Sequence, residues 1–436
     1  MTPDPGFFRL CNEIKHYPWG SPLWIPELIG EKNPEKKPFA ELWMGVHPLG
    51  PSYIENSGKK EPLSAYIETH ETGVWGKSAG GKLPFLFKLL AAEKPLSIQV
   101  HPDAGQAREG WERENREGIE ESAPRRNYKD PSHKPEILCA LGPFTALCGF
   151  READESAELL DALGFPVLEK PLKALRSPGS GGERLKAFLQ ALFALGPQER
   201  ETLSRAVSAL PGTSSGKGPA EVSMKLAAQF AAQYPGDPGI LAPFYLRILK
   251  LKPLEAVFLK AGVMHSYVEG FGVELMANSD NVLRGGLTNK HIDIPELLRI
   301  LDFSPYTPSI LSPPDTERRP LVFSYPLPLK TEFSLTLLKN KDRPLPYPLK
   351  GPSILCVTEG SLLLGNRSKL SLRTGESAFI GAACGSLVLD GAFTAFAAGT
   401  TGADAAGAAS VNAGAAGADA ATPAGVQAGR RGENSR

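Results

Sequence analysis

Residues 96–102 read Leu-Ser-Ile-Gln-Val-His-Pro, and apolar and polar side chains alternate up to the proline. Side chains two positions apart in a β-strand point to the same face of a sheet. The alternation therefore predicts a strand in which Ile98 and Val100 face one way. Gln99 and His101 then lie side by side on the opposite face, where both can bind a common ligand.

Two later stretches offer further metal-binding side chains. Residues 133–138 (His-Lys-Pro-Glu-Ile-Leu) provide Glu136, and residues 261–267 (Ala-Gly-Val-Met-His-Ser-Tyr) provide His265. Taken singly, each is an ordinary strand residue, because a lone histidine in a strand is more often packed or exposed than bound to a metal. Together, the glutamine, the carboxylate and the two imidazoles predict a mixed nitrogen and oxygen site for a divalent metal.

Length and composition narrow the class of protein. A chain of 436 residues exceeds one ordinary hydrophobic core and predicts two or three domains. Its formal net charge is zero, so neither nucleic acid nor an anionic membrane is expected as a partner. The five cysteines are scattered, no apolar run is long enough for a membrane span, and the N-terminus lacks a signal-peptide pattern. A soluble cytoplasmic protein is expected.

The spacing of apolar residues changes twice within the first 310 residues. Residues 1 to about 150 contain short apolar runs separated by Pro and Gly, which is typical of an antiparallel β sandwich or barrel. In residues 153–239, Leu185, Leu189 and neighbouring apolar residues recur at three- and four-residue spacing, which predicts helices. Short apolar runs typical of β-strands return from residue 240. The predicted fold class is mainly β with a helical segment.

The C-terminal part continues the β pattern and then loses it. A last β-rich block covers about residues 330–397, and Glu359-Gly360 is predicted to be a turn between two apolar runs. Residues 398–436 are mostly Ala, Gly, Thr and Asp without an apolar stripe. Such a segment has too little apolar surface to bury, so a disordered tail is predicted.

A second polar cluster follows His265. Residues 274–290 include Glu274 and Asp280 and end in Arg284-Gly-Gly and Lys290. Two cationic side chains next to two glycines, whose backbone a ligand can approach closely, could bind a phosphate or a sugar phosphate. A polar loop followed by a helix cap is the alternative interpretation.

Six segments, in matching order and spacing, together resemble the type I phosphomannose isomerase family. They are residues 40–48 (Ala-Glu-Leu-Trp-Met-Gly-Val-His-Pro), 96–103 (Leu-Ser-Ile-Gln-Val-His-Pro-Asp), 133–136 (His-Lys-Pro-Glu), 145–151 (Thr-Ala-Leu-Cys-Gly-Phe-Arg), 234–237 (Tyr-Pro-Gly-Asp) and 276–284 (Met-Ala-Asn-Ser-Asp-Asn-Val-Leu-Arg). The resemblance extends from Tyr17-Pro-Trp-Gly20 to about residue 397.

The resemblance implies a fold of two cupin-like (jelly-roll) β-barrels plus an α-helical domain. The implied domains are a catalytic cupin-like barrel at 1–152 together with 240–310, a helical domain at 153–239, a C-terminal cupin-like barrel at 311–397 and the tail at 398–436.

The resemblance also implies roles for individual residues. One Zn²⁺ per chain would be held by Gln99, His101, Glu136 and His265. The catalytic residues would be Arg284 and, as alternatives for proton transfer, Lys134, His133 and Asp280. The substrate-binding residues would be Ser97, Lys88, Lys290 and Glu274. The stretch Val263-Met-His-Ser-Tyr267 departs from the family's pattern, since the usual Pro and Ala are missing.

The implied activity is the interconversion of mannose 6-phosphate and fructose 6-phosphate by proton transfer through an enediol. A small sugar phosphate is then the expected partner of a monomeric enzyme. A cupin metal oxygenase with iron and a non-catalytic sugar-binding cupin are the alternatives. The sequence leaves open whether the reaction supplies a mannosylation precursor, as in GDP-mannose biosynthesis, or breaks down mannose.

Overall fold

The computed structural model describes residues 6–56, 58–76, 81–210, 218–314, 321–341, 343–366 and 368–401. Its strands are β1 Phe7–Cys11, β2 Glu13–Lys15, β3 Glu41–Gly45, β4 Tyr53–Asn56, β5 Lys59–Pro62, β6 Phe85–Ala92, β7 Ile98–Val100, β8 Glu136–Ala140, β9 Phe144–Phe150, β10 Leu246–Leu251, β11 Ala256–Leu259, β12 His265–Ala277, β13 Leu283–Gly286, β14 Ile310–Leu311, β15 Leu321–Ser324, β16 Phe333–Asn340, β17 Leu345–Pro348, β18 Ser353–Leu364, β19 Leu370–Arg373, β20 Ser377–Ile380, β21 Ser386–Asp390 and β22 Phe393–Thr400. Its helices are α1 Trp24–Ile29, α2 Leu63–Thr69, α3 Glu71–Trp75, α4 Ala104–Arg116, α5 Ala153–Asp161, α6 Glu169–Leu175, α7 Gly181–Phe193, α8 Pro197–Ser208, α9 Pro219–Gln233, α10 Ala242–Tyr245 and α11 Ile294–Ile300.

The first sheet is antiparallel and is built around the long strand β12. Its main path runs β14-β11-β8-β12-β6-β3-β2, and β12 also pairs with β7 and β9 near its first residue. Strand β13 joins through β7, and β10 joins through β9. The start of β12 is therefore the place where the branches of this sheet meet.

The second sheet combines strands from the two ends of the described chain. Its path runs β15-β16-β22-β18-β20-β1-β4-β5, with β17, β19 and β21 at the side. In the register of β1 with β20, Phe8 lies opposite Phe379. Residues 7–11 thus belong to the second sheet, although the predicted first domain covers residues 1–152. The domain boundaries stay a prediction.

The prediction of a mainly β fold with a helical segment is confirmed. Each sheet has eleven strands, and the strand pairs of the described residues do not close either sheet into a ring. The cupin-like units are therefore open sheets rather than closed barrels. They share one core, in which Phe87 and Ile137 of the first sheet pack in the same cluster as Leu335 and Phe379 of the second.

The helical segment covers one face of the first sheet. Helix α7 begins at a capping box of Ser180 and Glu183, and its Leu185 and Phe188 are fully buried. Ile98 and Val100 of β7 lie in this same core. The two apolar residues of the alternating strand therefore face the helices, which leaves the opposite face of β7 free for Gln99.

Two predictions about the C-terminal part are wrong in detail. Strand β18 continues through Glu359-Gly360, where a bulge and a positive φ of 78° at Gly360 bend the strand without reversing it. Strand β22 extends to Thr400, past the predicted start of the tail at residue 398. Residues 402–436 lie outside the described residues. No helix in the described part is long and apolar enough to cross a membrane.

Candidate metal centre and adjoining cavity

Three of the four predicted metal ligands meet at the end of the first sheet. Glu136 is the first residue of β8, His265 is the first residue of β12, and His101 directly follows β7. Nε2 of His101 lies 3.4 Å from Oε1 of Glu136, and Nε2 of His265 lies 3.6 Å from Oε2 of the same carboxylate. One ligand atom from each residue lies within 4.8 Å of the others, so the group could hold a metal ion.

Backbone carbonyl groups orient the two imidazoles. Nδ1 of His101 lies 2.8 Å from the carbonyl oxygen of Asn281, and Nδ1 of His265 lies 2.9 Å from that of Val263. A carbonyl oxygen can only accept, so each ring carries its proton on Nδ1 and directs the lone pair of Nε2 into the cluster. Among the described residues, no hydrogen bond reaches either Nε2 or Oε2 of Glu136. Buried polar atoms rarely lack a partner, and a cation would satisfy all three.

Charge in the cluster also suits a cation. Burial lowers the pKa of His101 to about 4, so its imidazole is neutral at neutral pH. Burial alone would raise the pKa of Glu136, but the proximity of His101 and Lys134 holds it well below its ordinary value. Nζ of Lys134 lies 3.2 Å from Oε1 of Glu136. The cluster therefore offers the Nε2 atoms of two imidazoles and an ionised carboxylate, a set that divalent metals such as zinc bind.

Gln99 connects this cluster to a neighbouring cavity. In the strand register Gln99 lies opposite His265 on one side and opposite Arg284 on the other. Its side chain lines a cavity of about 530 Å³ that Arg284 also lines. Gln99 thus occupies the border between the metal cluster and the cavity, and its role as a fourth ligand stays a prediction.

The cavity is cationic. Ser97, Arg284 and Lys290, all predicted from the sequence, line it together with Lys94, and none of the described residues that line it is a carboxylate. Burial lowers the pKa of Lys290, and the nearby charge of Arg284 lowers it further. In the described part of the chain, neither Arg284 nor Lys290 forms an ion pair with a carboxylate. An anion entering the cavity would relieve this repulsion.

Two residues predicted to bind substrate lie elsewhere. Nζ of Lys88 lies 3.0 Å from Oε2 of Glu274 and 3.5 Å from Oε1 of Glu41, and all three side chains are buried. Neither Lys88 nor Glu274 lines the cavity. Because two carboxylates already neutralise the ammonium group, the geometry does not favour the predicted phosphate contact of Lys88.

The three predicted proton-transfer residues point in different directions. Lys134 contacts Glu136 in the metal cluster, as described above. Nε2 of His133 instead lies 3.4 Å from Oε1 of Glu332, next to the second sheet. Oδ1 of Asp280 lies 3.4 Å from Nε2 of His47. Burial would raise the pKa of Asp280, but the hydrogen bond and charge of His47 lower it overall.

Several residues of this region were missed from the sequence. His47 contacts Asp280, Glu41 contacts Lys88, and Nε1 of Trp43 donates a hydrogen bond to Oε2 of Glu41 at 2.8 Å. These three residues belong to segment 40–48, which is one of the segments that resemble the family. That resemblance could have identified them as residues of the site. Lys94 lies outside the six segments that resemble the family, so no sequence pattern predicted that it lines the cavity.

Comparison with known proteins places the chain in a family. Residues 7–153 match the family model for phosphomannose isomerase type I, catalytic domain. Mannose-6-phosphate isomerase of Escherichia coli (strain K12) is 39% identical over 383 residues, covering 86% of this chain and 94% of the relative. The Homo sapiens mannose-6-phosphate isomerase is 33% identical over 411 residues, covering 87% and 94%.

Solved structures agree with the sequence relatives. A zinc-bound mannose 6-phosphate isomerase has a TM-score of 0.81 at 35% identity, covering 91% of this chain and 99% of that chain. The Salmonella typhimurium enzyme bound to fructose 6-phosphate and zinc has a TM-score of 0.80 at 35% identity, with the same coverage. Extensive identity over nearly the whole length of these proteins, together with the shared fold, shows that the chain belongs to the type I phosphomannose isomerase family.

Proposed function

We propose that this chain is a zinc-dependent aldose–ketose isomerase that interconverts D-mannose 6-phosphate and D-fructose 6-phosphate. The observation that carries the proposal is a buried metal-ligand cluster beside a cavity whose lining, among the described residues, includes three cations and lacks a carboxylate. The cluster suits the sugar end of such a substrate and the cavity suits its phosphate. The length over which the chain matches the named isomerases supports the same activity.

One zinc ion per chain would be held by His101, Glu136 and His265, with Gln99 as the fourth ligand. In the described chain, three atoms of the cluster have no hydrogen-bond partner, which supports a bound cation there. Zinc, when bound, supplies a Lewis acid that polarises the carbonyl group of the open-chain sugar.

Lys134 is the residue that we assign to proton transfer between C1 and C2. Its ammonium group contacts Glu136 in the cluster, whereas His133 is directed at Glu332. Asp280 is held by His47, and the charge of Lys134 acts on its carboxylate. Lys134 and Asp280 therefore form the pair from which a proton donor and a proton acceptor can be drawn.

Arg284, Lys290 and Ser97 would bind the phosphate group, and we add Lys94 to this set because it lines the same cavity. Arg284 lies directly opposite Gln99 in the strand register. Its guanidinium group is thus well placed to hold the substrate and to stabilise negative charge that develops on an enediolate oxygen.

A coupled assay tests the activity. The purified chain is assayed for isomerisation of mannose 6-phosphate as prepared, after chelation, and after zinc is added back. Loss on chelation and recovery with zinc are expected. Absence of turnover in the zinc-loaded chain would overturn the proposal, and stoichiometric iron with oxygen consumption would favour a cupin oxygenase instead.

We also propose that the enzyme is a cytoplasmic monomer that binds no nucleic acid. Cys139, Cys148 and Cys356 are buried free thiols in the described chain, which supports a reducing compartment. Zero net charge gives no long-range attraction to nucleic acid. Light scattering coupled to gel filtration tests the oligomeric state, and a mass twice that of the chain would contradict it.

A further inference from the structure

The loop that carries Lys290 into the cationic cavity has an unusual backbone. Leu287 has a positive φ of 52°, one of three non-glycine residues with positive φ in the described chain, although its side chain is fully buried. Gly286 before it has a φ of 135°. A branched or bulky residue adopts such a conformation only when its surroundings impose it. Something outside the loop must therefore fix residues 286–290.

The carboxylate of Asp237 makes the contacts that fix this loop. Its Oδ2 accepts a hydrogen bond from the backbone N–H of Thr288, the residue directly after Leu287, at 3.1 Å. Its Oδ1 accepts from the N–H of Gly239 at 2.7 Å. Asp237 thus joins the N–H group that follows the strained Leu287 to the N–H group of Gly239.

The two backbones also touch directly. A Cβ atom added to Gly286 would lie 2.8 Å from Cα of Gly239, and one added to Gly239 would lie 2.9 Å from Cα of Gly286. Only glycine at both positions permits this approach, since real Cβ atoms do not come so close. The chain around Asp237 and the loop are therefore packed as one unit.

The segment 234–239 is anchored on its other sides as well. The N–H of Gly236 donates to Oγ of Ser204 in α8 at 3.1 Å, and the hydroxyl of Tyr234 donates to the carbonyl of Pro95 at 3.0 Å. Pro95 directly precedes the stretch that carries Ser97 on the cavity wall. Segment 234–239 thus links the helical segment to both walls of the cavity.

We propose that Asp237 is a positioning residue for phosphate recognition, which holds the turn at Leu287 so that Thr288, Asn289 and Lys290 line the cavity. Asp237 does not itself line this cavity. Its negative charge is spread over backbone N–H groups rather than directed at an incoming anion. The proposal rests on the proposed function, because it takes the cavity to be the site of the substrate's phosphate group.

Binding of inorganic phosphate to the zinc-loaded chain, measured by titration calorimetry, tests the proposal without relying on activity. Asp237→Ala is expected to weaken phosphate binding about tenfold through the loss of charge-assisted hydrogen bonds. Asp237→Asn keeps one acceptor oxygen and is expected to weaken it about threefold. The variants are expected to retain one zinc per chain and a kcat within about twofold of wild type, with a raised KM for mannose 6-phosphate.

Ser180→Ala is the matched control, because the side chain of Ser180 also accepts a hydrogen bond from a backbone N–H but lies at the start of α7. It is expected to leave phosphate affinity within about twofold of wild type, as residues without shared partners act independently. Unchanged phosphate affinity in folded Asp237→Asn and Asp237→Ala would overturn the positioning role. If Asp237→Ala does not fold, Asp237→Asn alone decides. A wild-type chain that binds phosphate in an Asp237-dependent way but does not isomerise mannose 6-phosphate would overturn the proposed function and leave the positioning role intact.

Discussion

Zinc is expected to stabilise this chain against heat, and His265→Ala is expected to abolish that stabilisation. His265 is only 1% exposed and supplies one of the two nitrogen atoms in the cluster. Without its imidazole, His101 and Glu136 remain as two ligands of the three, with Gln99 beside them. Zinc affinity should then fall by orders of magnitude.

The expected rise in Tm follows from the properties of the metal cluster and from the length of the chain. Each of the three unpartnered polar atoms costs roughly 1–3 kcal/mol while no cation satisfies it. Free zinc at about a thousandfold above its Kd would stabilise the folded chain by about 4 kcal/mol. Unfolding entropy is about 2.1 cal/mol/K per residue, or roughly 0.8 kcal/mol/K for about 400 residues, so Tm should rise by about 5 °C.

Differential scanning calorimetry with zinc or with a chelator measures this shift, and elemental analysis counts the bound zinc. His70→Ala is the matched control, since His70 is exposed and stacks on Tyr66 away from the metal cluster. The control is expected to show the zinc-dependent rise of the wild type. A rise of the same size in His265→Ala, or none in the wild type, would refute the assignment of His265 as a ligand.

Three further outcomes are expected. Arg284→Ala should lower kcat/KM for mannose 6-phosphate by about 10²–10³-fold with zinc retained, and steady-state kinetics with near-normal turnover would contradict its role. Lys94→Ala should raise KM about threefold with little change in kcat; an unchanged KM would remove it from the phosphate site. Burial would raise the pKa of Glu296, but hydrogen bonds from Arg299, Tyr128 and Arg113 lower it to about 2. A carboxyl whose folded pKa is lowered adds stability above its unfolded pKa of about 4.5 and loses it towards pH 2, so Glu296→Gln should cost about 2 kcal/mol at pH 7 and less at pH 3.5 in urea unfolding. An equal cost at both pH values would contradict this.

Local sequence patterns predicted much of the fold. The alternation in residues 96–102 correctly predicted that Ile98 and Val100 face the opposite way from Gln99. In a β-strand this orientation follows from the pleat of the backbone alone. Helical spacing correctly predicted the buried face of α7. The turn at Glu359-Gly360 was wrong, because pairing with β22 and a bulge keep β18 extended through a pair that locally favours a turn.

Local sequence patterns could not predict which strands belong to which of the two sheets. Strand β1 pairs with β20, some 370 residues later in the chain. Pairing between such distant strands depends on the shared core, which is formed only when both sheets are folded. Local patterns in residues 7–11 therefore do not indicate that this strand pairs with one near the other end of the described chain.

Local patterns in the sequence were sufficient to identify the residue types of the site, the alternation of its first strand and the resemblance to the family. Which of the candidate residues come together depends on the folded chain: His101, Glu136 and His265 meet, while Lys88 is neutralised by Glu41 and Glu274. It also directed His133 away from Lys134 towards Glu332. The physical reason is that distances between charges on different strands follow from sheet register and burial, which no local pattern contains, and those distances set which charges are free to act on a substrate.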